Sequence, residues 1–412
     1  MTTHISMDDL LAQQTKRDPL AFYARLLAQA PLIYVDGLLG SQGAWIVTSY
    51  DDALSILKDT RFTRDAQKIM PTYNKQLPDA EKEEVARFIT WRRDMLSVDP
   101  PDHTRLRGLV SKVFTPRMIE QLRPRIQQIT DELLDAVQER GEMDLIADFA
   151  FPLPITVICE MLGIPAQDRP QFRVWTQAML NMSEDNHRGL PAMESMEKFI
   201  TYIKTLVTSK RAHPDQDLIS GMVRVEENGE TLSETELLSS IFLLIVAGHE
   251  TTANLIGNGT LALLEHPEQL RLLQQDPSLI PTAVEELLRY TAPVTLSTPR
   301  WALEDVSMHD QVIHKGEMVM ISLVAANIDP QHFSHPQELD VARQVNRHLA
   351  FGRGIHVCLG APLARLEGQV AFATLLRRLP NLHPAADPQQ LRWNRTPILR
   401  GLTSLPRNLL TV

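Results

Sequence analysis

A single cysteine, Cys358, lies in a loop that also contains Gly352, Gly354 and Gly360, and a helix-like run over residues 361–379 follows it directly. The thiolate form of cysteine is the nucleophile or metal ligand, and a free thiol has a pKa of about 8.5. The backbone N–H groups and the positive dipole end of the following helix would stabilise that anion. The three glycines permit positive φ and let a flat ligand approach the backbone closely. The stretch therefore predicts a thiolate beneath a planar ligand.

The neighbours of Cys358 indicate the charge of that ligand. Phe351 supplies an aromatic wall, and Arg353 and His356 supply cations. Pro362 suits the first turn of the helix, where its missing N–H costs nothing. We therefore expect a planar, anionic ligand beside the cysteine. The alternative is a buried structural cysteine in a glycine-rich turn.

A second candidate for chemistry lies inside a segment that predicts an unusually long helix. Ser233 and Glu236 form a capping-box pattern, and no proline follows until Pro267, more than 30 residues later. The mean helix has about 11–12 residues. Residues 241–247 are apolar on every side, as in a helix that crosses a protein interior.

Small and apolar residues form one stripe at helical spacing along this helix. They are Leu244, Ala247, Gly248, Thr251 and Leu255. The Thr251 hydroxyl can donate a hydrogen bond to the carbonyl oxygen of Ala247, four residues earlier. The neighbouring Glu250 carboxylate is costly in an apolar helix unless it has a task or a partner. The pattern predicts an oxygen-sized groove with a hydroxyl and a proton source, and the alternative is a helix kink with a capped threonine.

A pair of basic side chains follows a double proline. Pro100 and Pro101 break the preceding segment, and a helix is predicted to begin near Asp102. His103 and Arg107 are four residues apart, so they share one face of that helix. Two cationic side chains on one face suit a pair of carboxylates. The alternative is a solvated basic helix face.

Composition limits the classes of function. The chain has 412 residues, of which 43% are apolar and 22% charged, an ordinary globular composition. Its formal net charge of −10 disfavours nucleic acid and anionic membranes as partners.

The N-terminus shows no signal core, and the longest apolar run, residues 241–248, is too short to span a bilayer. Two cysteines provide no disulfide framework, which fits a reducing cytoplasm, and Cys159 is expected in the core.

Other segments position these sites. Residues 31–36 and 44–50 are predicted as two strands around a glycine-bearing turn, and residues 318–326 as a further strand. Residues 65–95 are polar and predict an irregular loop. Residues 116–209 predict mainly helix.

Phe351, Gly354, Cys358 and Gly360 resemble, residue for residue, the haem-binding loop of the cytochrome P450 family, in which the cysteine is the proximal ligand of haem iron. Five motifs stand in the family's order, so the resemblance covers essentially the whole chain. It implies a single domain over residues 1–412, mainly α with small β-sheets. One haem b would lie between the long central helix and the Cys358 loop.

The resemblance also implies roles for individual residues. The haem propionates would be held by His103, Arg107, Arg300 and His356. Ala247 and Gly248 would contact the cofactor, Glu250 would relay protons and Thr251 would hold the oxygen intermediate. The substrate pocket would be lined by Leu244, Ala247, Val294, Leu296 and Ile398.

Two further matches concern structure and the pocket roof. Glu286 and Arg289 match the family's Glu-x-x-Arg motif, which pairs with a later arginine, here Arg343, and we expect a buried structural network. Residues 171–190 correspond roughly to the helices that roof the pocket. Such an apolar stripe is more often plain core, so no individual contacts are assigned there.

The implied function is monooxygenation, in which O₂ and two electrons insert one oxygen atom into an unactivated C–H bond. The expected substrate is a hydrophobic small molecule of the polyketide, macrolide, terpenoid, steroid or fatty acid class. Electrons would come from NAD(P)H through a reductase and a separate ferredoxin or flavodoxin. Arg105, Lys112 and Arg353 are docking candidates, although a solvated basic patch explains them equally well.

A soluble, cytoplasmic monomer of the bacterial class is expected. A haem-free structural protein is a further alternative, which a red colour of the purified protein would exclude. Two other functions remain open for the same resemblance. One is a peroxygenase that uses H₂O₂ directly, and Glu250 and Thr251 argue against it. The other is a non-catalytic haem-thiolate sensor or carrier, which would show no substrate-dependent consumption of NADPH.

Overall fold

The computed structural model describes residues 5–40, 43–70, 86, 89–180, 190–225, 229–384 and 388–408. Helices dominate this part of the chain. The α-helices are Met7–Leu11, Gln13–Arg17, Pro19–Gln29, Tyr50–Ile56, Asp102–Val113, Pro116–Gln121, Arg123–Gln138, Pro152–Leu162, Arg169–Leu180, Leu190–Ala212, Leu218–Arg224, Glu234–Glu265, Pro267–Gln275, Ile280–Thr291, Leu323–Asn327 and Ala361–Arg378. A π-helix covers Leu145–Ala150, and short 3-10 helices cover Leu38–Gly40, Ala66–Ile69, Ala166–Asp168, Pro277–Leu279 and Pro388–Gln390. Much of the loop predicted over residues 65–95 lies outside the described residues.

The strands form small sheets. A six-stranded sheet has the order Ile5–Ser6, Leu32–Asp36, Gly43–Val47, Met318–Ile321, Arg300–Ala302, Phe62–Thr63. A three-stranded sheet contains His383–Pro384, Pro406–Asn408 and Glu142–Asp144, and a two-stranded sheet contains Val306–Met308 and Gln311–Ile313. The predicted class, mainly α with small β-sheets, is confirmed.

The two strands predicted near the N-terminus pair as expected. Leu32–Asp36 runs antiparallel to Gly43–Val47, and Gly43–Val47 runs parallel to Met318–Ile321. The strand predicted over residues 318–326 is too long, because it ends at Ile321. The Ser322 hydroxyl then accepts a hydrogen bond from the N–H of Ala325 and starts the helix Leu323–Asn327.

The predicted long helix is Glu234–Glu265. Its capping box is complete, since the Ser233 hydroxyl accepts from the N–H of Glu236 (3.3 Å) and the Glu236 carboxylate accepts from the N–H of Ser233 (2.9 Å). It packs on Pro152–Leu162, Ile280–Thr291 and Ala361–Arg378. Close approach to the last of these depends on Gly259, where a Cβ would lie 2.6 Å from the Phe372 ring. We call Glu234–Glu265 the long helix and Ala361–Arg378 the cysteine helix.

Two helical stretches are long and apolar enough to cross a membrane by length and composition alone, Leu145–Leu162 and Glu234–Glu265. The second contains the apolar run of residues 241–248, which small and polar residues extend into a longer helix. In each stretch, 67% of the window is buried inside the structure, as in the core helices of a folded domain.

The Glu-x-x-Arg motif lies in a buried network, as predicted. The side chains of Glu286 and Arg289 are 0% exposed and joined by two hydrogen bonds of 2.7 and 2.8 Å. The Nε of Arg343 donates to the same carboxylate (3.0 Å), and so does the backbone N–H of Asp340 (3.0 Å). Because every charge has partners, the network can remain ionised inside the protein. It ties the helix Ile280–Thr291 to the chain that leads into the cysteine loop, residues 351–360.

Candidate active site

The cysteine loop is closed by its own backbone. The N–H of Cys358 donates to the carbonyl oxygen of Phe351 (2.9 Å). Gly352 and Gly354 have φ of +67° and +78°, and a Cβ at Gly354 would lie 2.6 Å from the carbonyl oxygen of Leu57. The expectation of positive φ is wrong for Gly360, whose φ is −78°, because it already leads into the first turn of the cysteine helix.

The Cys358 side chain is accessible from a large cavity, although protein atoms surround it densely. Burial raises the pKa of its thiol, while the backbone N–H groups of Gly360 and Ala361 and the charges of Arg107 and Arg365 lower it. The predicted helix-end donors are therefore present, but burial outweighs them. A cation bound at the sulfur would be needed to hold it as the thiolate.

The long helix forms the facing wall of the same cavity, which has a volume of about 290 Å³. The predicted stripe lies on this wall, with all five residues in the lining: Leu244, Ala247, Gly248, Thr251 and Leu255. The Thr251 hydroxyl donates to the carbonyl oxygen of Ala247 at 3.1 Å, as predicted. Small residues and a polar hydroxyl therefore face the cavity from the helix that opposes Cys358.

Two acidic side chains lie on the helices that form the cavity, and of these Glu367 lines the cavity whereas Glu250 does not. Burial raises the pKa of Glu250, and the nearby Asn254 side chain lowers it in part. The Asn254 amide nitrogen makes no hydrogen bond with the described residues. Glu367, on the cysteine helix, is 1% exposed and lines the cavity. Neither of its oxygens has a hydrogen-bond partner among the described residues, and burial raises its pKa to about 8, with the Thr252 hydroxyl opposing the rise.

Sequence reasoning missed Glu367. The available signal was an acidic residue within the buried face of the cysteine helix, next to Leu366 and four residues from Leu363 and Ala371. A carboxyl group in that position is costly unless it is protonated or has a task. At neutral pH it holds a proton on the cavity wall.

One end of the cavity collects basic side chains. Arg64, Arg107, Arg300 and His356 line it, and the His103 ring lies 4.4 Å from the His356 ring. Several buried side-chain nitrogen atoms have no partner among the described residues: Arg64 Nε, both ring nitrogens of His103, Arg300 Nη1 and His356 Nδ1. Unsatisfied buried donors are expensive, so this end of the cavity is built for an anion.

Burial disfavours the charged forms of these groups. It lowers the pKa of Arg300 to about 10 and the pKa of His356 to about 2, and it also lowers the pKa of His103. Burial therefore disfavours the cationic forms that were expected for His103 and His356. Arg64 was missed because nothing in its polar sequence neighbourhood indicates burial.

The substrate-pocket prediction holds for some residues and not for others. Leu244, Ala247 and Val294 line the cavity, whereas Leu296 and Ile398 do not. Leu296 is completely buried in a core cluster, and Ile398 packs against that cluster. Apolar lining that sequence reasoning missed comes from Met95, Leu96, Phe114, Leu243 and Leu323. Within the predicted roof, residues 181–189 lie outside the described residues, and Phe172 and Trp175 belong to the core.

The cavity walls fit a flat, dianionic group that carries a metal. No cluster of three or more His, Cys, Asp or Glu side chains in the described part of the chain is arranged to hold a metal ion. Cys358 therefore offers one ligand, and the remaining ligands would have to come from the cofactor itself. Unpartnered donors at one end suit two carboxylates, and haem b has these properties.

The family profile described as Cytochrome P450 matches residues 38–280 and 278–396 of the sequence. The chain belongs to the cytochrome P450 family. A relative named Cytochrome P450 CYP107DY1, from Priestia megaterium, is 52% identical over 406 residues, 98% of each chain. The polyketide biosynthesis cytochrome P450 PksS of Bacillus subtilis is 48% identical and covers 89% of each chain. The protein is accordingly an oxidoreductase of the P450 monooxygenase class, and the family implies a haem iron cofactor.

A solved relative has the same fold. The crystal structure of the myxobacterial cytochrome P450 CYP267B1, in complex with myristic acid, superposes with a TM-score of 0.91. The two chains are 44% identical, and the match covers 98% of this chain and 100% of the other. The cytochrome P450 fold predicted from the motifs is confirmed.

Proposed function

We propose that the protein is a haem-thiolate monooxygenase that inserts one atom of O₂ into a hydrophobic small molecule. The observation that carries the proposal is the pair of facing walls: Cys358 lies on one side of the cavity, and Ala247 and Thr251 lie on the other. A sensor or carrier needs the sulfur alone. The Thr251 hydroxyl on the facing wall and the Glu367 carboxyl group in the cavity lining suit a reaction in which oxygen must receive protons.

Residues at the base and end of the cavity would hold the cofactor. Cys358 would ligate the iron, within a loop shaped by Phe351, Gly354 and Gly360. The carboxylates of the haem would be bound by His103, Arg107, Arg300 and His356. Ala247 and Gly248 would contact its other face. When bound, haem supplies electron transfer and the activation of dioxygen.

Two residues of the long helix would deliver protons to oxygen. The Thr251 Oγ1 carries a hydrogen bond to Ala247 and projects into the cavity, so its hydroxyl is oriented before any ligand arrives. Burial raises the pKa of Glu250, which favours the protonated carboxyl group and lets it hold a proton. We assign Thr251 as the hydrogen-bond donor to oxygen, for which its hydroxyl would turn away from the Ala247 carbonyl, and Glu250 as the group that replenishes the proton.

The substrate class follows from the lining and from the relatives. Leu243, Leu244, Val294 and Leu323 make the substrate side apolar. One relative is named for polyketide biosynthesis, and a solved relative contains myristic acid. A polyketide or fatty acid is therefore the substrate class that we propose, with terpenoids and steroids as further candidates.

Electrons would come from NAD(P)H through a separate ferredoxin or flavodoxin and its reductase. Arg353 is exposed on the cysteine loop, which supports docking of an acidic partner there. Arg105 is a weaker candidate than predicted, because its guanidinium already pairs with Glu230 (3.1 Å) and Glu236. A single domain, a monomeric state and a cytoplasmic location complete the proposal.

The test is reconstitution with a surrogate ferredoxin and reductase. Fatty acids and macrolide precursors would first be screened for the low-to-high-spin shift of the haem. Compounds that bind should then be oxidised in the presence of NADPH, with one oxygen atom from ¹⁸O₂ in the product. Full activity with H₂O₂ alone, insensitive to changes at Thr251 and Glu250, would favour a peroxygenase. Binding without substrate-dependent NADPH consumption would favour a sensor or carrier.

A further inference from the structure

A charged cluster behind the cysteine loop takes no part in the function proposed above. Glu285, on the helix Ile280–Thr291, accepts two hydrogen bonds from Arg365 on the cysteine helix, at 2.7 Å from Nε and 2.8 Å from Nη2. This bidentate geometry fixes the plane of the guanidinium. The side chains are only part-buried, 27% and 37% exposed.

A histidine completes the cluster and joins it to the loop. Nδ1 of His348 accepts from the backbone N–H of Ala350 (3.2 Å), so the proton of the neutral ring is on Nε2, which lies 3.2 Å from the Glu285 carboxylate. Burial raises the pKa of Glu285, but hydrogen bonds from Arg365 and His348 outweigh this effect and hold the pKa at about 2. The carboxylate is therefore ionised at neutral pH.

The fixed guanidinium lies against the aromatic wall of the cysteine loop. Cζ of Arg365 is 4.5 Å from the centroid of the Phe351 ring, within cation–π range. The carbonyl oxygen of Phe351 in turn accepts the N–H of Cys358. Arg365 also lies in the second turn of the cysteine helix, seven residues after Cys358, and its charge acts on the Cys358 sulfur. One contact chain therefore runs from Glu285 through Arg365 and Phe351 to Cys358.

We propose that Glu285 and Arg365 are positioning residues that set the charge around the Cys358 sulfur, and thereby the reduction potential of the bound iron. The inference rests on the proposed function, in which Cys358 ligates that iron. Reduction adds one electron to the site, so a positive charge nearby favours the reduced form. The Arg365 guanidinium supplies that charge, and the Glu285 carboxylate fixes its position and partly cancels it.

The two partners should therefore act with opposite sign. Arg365→Leu should lower the reduction potential, and Glu285→Gln should raise it. Each change should alter the equilibrium constant for one-electron reduction by up to about tenfold, or about 59 mV. Arg365→Lys keeps the charge and should remain closer to the parent than Arg365→Leu does. Simple loosening of the loop would move both partners in the same direction.

The experiment is a redox titration of the haem-loaded protein and its variants. A matched control is the bidentate pair Arg125 and Glu160, with bonds of 2.9 and 2.8 Å and exposures of 37% and 24%, between two other helices. Arg125→Leu and Glu160→Gln should leave the potential unchanged. The inference would be overturned if the changes at Glu285 and Arg365 shifted the reduction potential in the same direction, or by no more than the control changes do.

The reduced CO complex of the parent separates this failure from failure of the proposed function. If the parent has the red-shifted band of a thiolate ligand and the variants at Glu285 and Arg365 have unchanged reduction potentials, only the role of these two residues is disproved. If the parent lacks that band, Cys358 is not the ligand, and the inference is overturned together with the function on which it rests.

Discussion

The backbone N–H of Cys358 donates a 2.9 Å hydrogen bond to the carbonyl oxygen of Phe351. This contact closes the loop, so that the sulfur and the aromatic ring are carried by one rigid turn. The turn needs positive φ at Gly352 and Gly354, which ordinary residues adopt at a cost. The position of the sulfur is therefore set by backbone geometry before any cofactor binds.

Thr251→Ala should uncouple the reaction. Haem binding, substrate binding and NADPH consumption should remain near the parent level, because the change removes only the hydroxyl and one methyl group. Reduced oxygen should leave as H₂O₂, and the rate of product formation should fall by about 10²-fold or more, since a positioned general acid contributes about 10²–10⁴. Product, H₂O₂ and NADPH are measured in parallel.

Thr260 provides the matched control for that experiment. Its hydroxyl donates to the carbonyl oxygen of Ile256 at 2.8 Å, the same four-residue bond in the same helix, and it does not line the cavity. Thr260→Ala should leave product per NADPH unchanged. Equal coupling in Thr251→Ala and the parent would mean that Thr251 takes no part in oxygen activation.

Arg300→Ala should weaken haem retention. The guanidinium is 4% exposed with Nη1 unpartnered among the described residues, so a carboxylate of the cofactor would complete its bonding. A charge-assisted hydrogen bond contributes about 1.5–3 kcal/mol, which is about tenfold to 150-fold in the dissociation constant. Transfer of haem to apomyoglobin measures the loss. The control is Arg61→Ala, which changes an exposed arginine paired with Asp59. Equal rates of haem transfer in the two variants would contradict the assignment of Arg300 to a haem carboxylate.

Motifs that depend on spacing along one helix could be predicted from the sequence. The capping box at Ser233 and the bond from Thr251 to Ala247 are local, so the sequence contains all the information that they need. The Glu286 network was also predictable, although its position relative to Arg343 came from the family resemblance rather than from spacing.

The sequence could not show how far along a segment the cavity extends. Val294 and Leu296 are two residues apart in one extended segment, yet the first lines the cavity and the second is buried in the core. Arg64 and Glu367 were missed for a related reason, since polar residue types do not indicate burial. The charge state of His356 also depends on its desolvation, which only the folded structure determines.

Glu286→Gln should strongly destabilise the protein. The change leaves Arg289 and Arg343 buried with their charges uncompensated, and breaking a buried ion pair by removing one partner costs about 3–5 kcal/mol. Urea unfolding followed by circular dichroism measures the effect. Glu120 and Arg123 form the same i, i+3 pair on the surface, so Glu120→Gln should not change the midpoint measurably. A parent-like midpoint for Glu286→Gln would contradict the structural role of the network.

Glu367→Gln should change how stability depends on pH. Burial raises the pKa of Glu367 from 4.5 to about 8, so between these values the unfolded chain is ionised while the folded protein stays protonated. Its contribution to stability is therefore complete below pH 4.5 and is lost as the pH rises through 8. Glutamine mimics the protonated acid and should remove this loss.

Thermal unfolding between pH 4.5 and 8 measures the effect of Glu367→Gln. The variant should match the parent at the acid end and exceed it at the alkaline end. Glu194, which is exposed and paired with Lys198, is the control, and Glu194→Gln should retain the slope of the parent. Parallel curves for Glu367→Gln and the parent would show that Glu367 is ionised in the folded protein.

The most direct test of the account is the absorbance of the reduced CO complex. A thiolate opposite CO shifts the haem band far to the red of a histidine-ligated haem. We predict that the parent shows the red-shifted band, that Cys358→His abolishes it, and that Cys159→Ala, at the buried core cysteine, retains it. A globin-like spectrum for the parent, or a red-shifted band that survives Cys358→His, would contradict the assignment of Cys358 as the iron ligand.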